Sequence, residues 1–128
     1  MTVRIYLTAL LSFFALDMLW LGLIARSLYR AQIGFLLKEN VNWAAAFTFY
    51  LLFVFGLVYF VVVPGIERKT LFHVVLDGAL FGLVSYAAYD LTNLSVTKDW
   101  PLLITLVDLA WGTALGAIVS GLTYSLSR

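Results

Sequence analysis
The chain has 128 residues, of which 63% are hydrophobic and only 12% charged, and its mean hydropathy is +1.00. A soluble domain is about half apolar and about a quarter charged, so this excess excludes water as the main solvent and points to a lipid bilayer. A net charge of +1 carried on scattered Lys and Arg excludes a nucleic-acid footprint, and zero Cys excludes disulfides, thiolate metal ligands and a thiol nucleophile.

Crossing about 30 Å of hydrocarbon takes about 20 residues of helix. Four apolar segments meet that length, at residues 5–25, 43–63, 72–94 and 102–124. The predicted fold class is therefore an all-α integral membrane protein, a four-helix transmembrane bundle with short loops forming one domain over residues 1–128. The opening stretch around Arg4 reads as a retained first span, not a cleaved signal. Between the first two spans, Arg26, Arg30, Lys38 and Glu39 keep the chain out of hydrocarbon. The pattern there predicts a short interfacial helix whose Tyr29, Ile33 and Leu36 rest on the membrane surface. Pro64 and Gly65, followed by Glu67, Arg68 and Lys69, are expected to stop the second span. The third break, 95–101, holds Lys98 and Asp99, with Pro101 placed where a first helical turn tolerates it.

Four crossings put both termini on one side, here side A. Arg4, Arg68, Lys69 and Arg128 fall on A, whereas Arg26, Arg30, Lys38 and Lys98 fall on the opposite side B. This balance gives the positive-inside rule nothing to act on beyond the amino terminus, which favours side A in the cytoplasm. The same balance is what a chain forming an antiparallel homodimer would show. Asp17, Trp20 and Gly22 in the first span are echoed by Asp108, Trp111 and Gly112 in the last, and Phe55-Gly56-Leu57-Val58 by Phe81-Gly82-Leu83-Val84.

Of seven acidic residues, four lie inside the spans: Asp17, Asp77, Asp90 and Asp108. A carboxyl at a helix centre costs roughly 2.5–3.5 kcal/mol on insertion scales, so those retained face a bundle interior or water. Counted along alternating helices, Asp17, Asp90 and Asp108 all fall in the B half, roughly 6–12 Å below its surface. Gly82, Tyr86, Asp90 and Asn93 share one face of the third span, and Asp108, Gly112, Gly116 and Ser120 one face of the fourth. Gly78 with Gly82 and Gly112 with Gly116 permit close helix approach. Trp43 and Trp100 suit interface anchors, while Trp20 and Trp111 lie deep enough to wall a pocket.

Two readings follow. The acids, paired with Asn93, Tyr86, Tyr89 and backbone amides, lock the helices in register, in which case Asp90→Leu destabilises the bundle by stranding its partners. In the other reading they open a B-side cavity for a proton, a small cationic or polar ligand, or a lipid head group. The candidate ligand- or proton-binding residues are Asp17, Trp20, Tyr86, Asp90, Asn93, Asp108 and Trp111. Asp77, one turn after His73, is expected to share a hydrogen bond with it near side A in a structural role. No catalytic residue, metal site or cofactor is expected, since no phosphate loop, hydrolase triad or calcium string is present.

The strings ALDMLWLG at 15–22, NWAAAFTFYLLFVFGLVYFVVVP at 42–64, GALFGLVSYAAYDLTNLSVTKDWP at 78–101 and DLAWG at 108–112 resemble the bacterial membrane proteins grouped as domain of unknown function 2177. YDLTN with the Lys-x-Trp-Pro turn is the most specific part. Ala88 stands where the family pattern leads one to expect Thr. The resemblance implies a four-helix protein of the bacterial inner membrane with no assigned activity. It also implies a link to acyl-lipid modification, as an enzyme or accessory protein, beside the transport reading and a purely structural or assembly role.

Overall fold
A computed structural model describes residues 2–37, 40–68 and 70–127. The side assignments of Lys38, Lys69 and Arg128, and the place of Glu39 in the first break, lie outside the described residues. Among those described, four helices are long and apolar enough to cross a membrane: α1 (Val3–Ile24), α3 (Trp43–Arg68), α4 (Leu71–Val96) and α5 (Leu102–Ser127). The short helix α2 (Arg26–Ile33) follows α1, and no strand is present among the described residues.

Two starts are capped by side chains. The Thr2 hydroxyl accepts from the Ile5 amide at 3.2 Å, and the Asn42 side chain from the Ala45 amide at 3.2 Å, each satisfying a donor that the first helical turn leaves free. α4 ends at a turn in which Asp99 takes the left-handed conformation, φ 61°, which a short polar side chain tolerates.

The expectation that Pro64 and Gly65 end the second span is corrected, because the helix runs on to Arg68. Just before the proline, Val58–Val62 is wound as a π-helix, and the Val63 amide bonds back five residues to the Val58 carbonyl. The widened turn sits where a proline ring would otherwise strike the ladder of a regular α-helix. α1 closes in the same manner over Trp20–Ile24, where the Ala25 amide donates to the Trp20 carbonyl at 2.7 Å.

Side A is marked by Arg4, whose guanidinium donates to the Leu126 carbonyl at 3.2 Å and so places both described ends of the chain together. Side B is marked by Ile33, Trp100 and Ile104, which pack α2 against the α4–α5 turn. Here two expectations are overturned. Trp100 is 8% exposed and donates to Thr105 Oγ1 at 3.0 Å, so it is a packed residue, not an interface anchor. Ile33 is buried and Tyr29 turns inward, leaving Leu36 exposed. α2 is thus folded onto the bundle. Trp43 does remain exposed.

α4 and α5 form the tightest pair. A Cβ added at Gly82 would collide with the Gly112 carbonyl, and one at Gly116 with the Gly78 carbonyl, so the two backbones touch through their glycines. The outward faces carry exposed Leu76, Leu80 and Val84 at four-residue spacing on α4, and comparable residues on the other spans, as a lipid-facing surface requires. α3 is placed asymmetrically. Its Val58–Val62 stretch packs against α1, α4 and α5, whereas Trp43–Leu57 rests mainly on α1.

Candidate functional site
The separation of the Trp43–Leu57 part of α3 from α4 and α5 leaves a cavity of about 440 Å³ in the B half. Asp17 of α1 and Asp108 of α5 line it, 4% and 7% exposed, each carried inward by the packed face of its helix. The pairing of these helices is crosswise. Trp111 Nε1 donates to Asp17 Oδ1 at 3.3 Å, and the indoles of Trp20 and Trp111 stack with centroids 4.5 Å apart and planes 6° from parallel. Trp20 Nε1 donates at 3.2 Å to the Tyr29 hydroxyl, which in turn donates to Asp108 Oδ1. Burial first, and then the proton-accepting Asp108 carboxylate, push the Tyr29 phenol well above its ordinary value of 10.0, so it stays a donor. The Tyr50 hydroxyl faces Asp17 from α3.

Asp90 stands behind this wall. It is 0% exposed, does not line the cavity, and neither carboxyl oxygen meets a hydrogen-bond donor. Its carboxyl abuts that of Asp108, which itself interacts with Asp17, so the three acids form one electrostatic cluster. Among the described residues no Lys, Arg or His pairs with any of them. Of the other candidates, Tyr86 and Trp111 line the cavity and Trp20 supports it from behind through Tyr29. Asn93 is half-buried outside the cavity, interacting with Tyr89. The Asp77 reading is corrected: His73 Nδ1 lies 3.4 Å from Thr70 Oγ1, no His73–Asp77 bond is present, and Asp77 is exposed.

Sequence reasoning missed Tyr29, Tyr50 and Phe49, which supply much of the aromatic wall. For α3 the signal was available, since Ala46, Phe49 and Tyr50 share one face at helical spacing. For Tyr29 it was not, because an amphipathic helix of eight residues does not reveal whether its apolar stripe meets lipid or protein. Among the described residues no group of three or more His, Cys, Asp or Glu is arranged to hold a metal ion. The site can offer two carboxylates with a third adjoining, a ring-lined wall and a fixed phenol donor.

No curated protein and no solved structure matches the chain. The model of a predicted membrane protein family, DUF2177, matches residues 2–125, nearly the whole sequence and all four spans, and this multi-pass membrane protein belongs to that family.

Proposed function
We propose that the protein binds a small cation between Asp17 and Asp108 and exchanges it for protons across the membrane in which it sits, the cytoplasmic membrane of a bacterium. The observation that carries this reading is a cluster of three buried acids with no basic partner among the described residues, two of them facing one cavity. Carboxyls gathered this closely without a basic partner form a place where a cation and a proton compete. Arrival of a monocation permits a carboxyl to ionise and release its proton, leaving the net charge of the site unchanged. Tyr50, Tyr86 and Trp111 line the cavity, and aromatic rings attract an organic ammonium or guanidinium ion. The cavity volume falls within the usual range for small-molecule sites.

The test is calorimetric titration of tetramethylammonium and guanidinium into purified protein, in buffers of different ionisation enthalpy, alongside flux measurements in proteoliposomes under a pH gradient. Binding accompanied by proton release, lost in Asp17→Asn and Asp108→Asn, is expected. Unchanged affinity and pH dependence in both variants at wild-type thermal stability overturns the reading. Altered lipid species on expression with no flux would favour the acyl-lipid alternative.

A further inference from the structure
We infer that the natural ligand is an amphiphile, a cationic head on an aliphatic chain, and that it reaches the acids sideways from the membrane through the gap between α3 and α4. This rests on the cation reading above and adds the ligand class and its route. The aqueous end of the cavity is covered by α2. Tyr29 is tied to Trp20 and Asp108, and Ile33, 7% exposed, is packed on Trp100 and Ile104, so α2 lies across side B as a roof.

The lateral side is built differently. From Val58–Val62 the backbones of α3 and α4 diverge toward side B, and rings alone span the space, with Phe49 and Tyr86 at 6.4 Å and Phe53 and Tyr86 at 6.1 Å. Beyond those rings the gap is flanked by Ala46 and Phe49 on one helix and Ser85 and Tyr89 on the other. Phe49 and Tyr89 are exposed on the outer surface of the bundle while also lining the cavity, so the cavity wall is continuous with the lipid-facing surface. The charged groups lie at the inner end and the small, apolar or aromatic ones at the mouth. A water-borne ion has no use for such a mouth, whereas an amphiphile already oriented in a leaflet can slide its head to Asp17 and Asp108 and leave its chain in hydrocarbon. Asp90, fully buried and set against Asp108, adds a third acid at the inner end of the path that a cationic head would take.

The experiment uses the full chain in phosphatidylcholine nanodiscs and two probes with the same head, tetramethylammonium and dodecyltrimethylammonium, with protein-free discs as the partition control. Variants Ala46→Trp and Ser85→Phe fill the mouth from opposite sides, Ala46→Leu is a milder form, and tetramethylammonium affinity reports that the site of each remains folded. Both probes should compete for one site in the wild type and both should be lost in Asp17→Asn. The mouth variants should weaken the dodecyl probe about tenfold, equivalent to about 1.4 kcal/mol, and leave the small one unchanged. If the small cation binds through Asp17 but the mouth variants spare the dodecyl probe or weaken both probes equally, lateral access is overturned and the cation site stands. If neither probe binds in an Asp17-dependent manner, both readings fall.

Discussion
The same four helices are packed in two different ways at the two ends of the bundle. Toward side A, α3 sinks between its neighbours, and Leu57, Val58, Val61, Val74 and Val119 close the interior without a cavity-lining acid. Toward side B, α3 pulls away from α4 and α5, and the space is bounded by carboxyls, phenols and indoles. The difference teaches where each kind of energy goes. In a membrane, lipid is as apolar as leucine, so the A half is held by close contact, and the B half gives up contact in order to keep charge-bearing groups reachable. Changes at A should therefore move stability and spare the site, and changes at B the reverse.

The largest effect is expected where backbones touch. Gly82→Val would drive a branched side chain into the Gly112 carbonyl, forcing α4 from α5, and should cost about 3 kcal/mol or more, read as loss of the folded monomer in detergent. Next comes Leu57→Ala in the A half, expected to cost about 1–3 kcal/mol. That lies at the low end for a buried leucine, because hydrophobic transfer contributes little when lipid is the alternative. Its affinity for tetramethylammonium should stay at the wild-type value. A loss of binding equal to that of Asp17→Asn would break the division between the halves.

Asp90→Ala sharpens the comparison by separating stability from binding. If the acids serve only as polar locks, a hydrophobic replacement at this position is expected to destabilise the bundle by stranding polar partners, whereas the structure sets the Asp90 carboxyl against that of Asp108. Removing Asp90 takes away a crowding acid and a proton-sharing partner of Asp108 together, so thermal stability should move by less than about 1 kcal/mol while cation binding weakens. Tyr29→Phe should have a similarly small effect on stability, about 1 kcal/mol, since it leaves Trp20 Nε1 and Asp108 Oδ1 each short of one partner. Its probe affinity should change more than its melting temperature does.

Much of this architecture was legible in sequence because span length, depth and helical spacing are one-dimensional quantities. The four spans, the common level of Asp17, Asp90 and Asp108, and the glycine-lined faces of α4 and α5 all follow from counting, while the pairing of those two faces with each other comes from the structure. What escaped counting depends on the third dimension. Pro64 marks a breaker in any sequence reading, and only the π-turn before it explains the continued helix. Trp100 and Tyr29 are residue types that favour interfaces, yet both are claimed by packing from a neighbouring segment. Asp90 shares a face with Tyr86, yet at Asp90 that face meets Asp108 in place of the cavity, because the separation of α3 from α4 and α5, and not the spacing on α4, decides where space opens.

The Trp20–Trp111 stack has an optical consequence. Two indoles 4.5 Å apart and nearly parallel act as coupled chromophores, so their near-ultraviolet circular dichroism carries a signature that neither ring has alone. One ring rides on α1 and the other on α5, and each lies one hydrogen bond or one phenol away from a carboxyl of the site. Any rearrangement that separates these two helices when the acids change charge would uncouple the pair, giving the native protein a label-free gauge of its own motion.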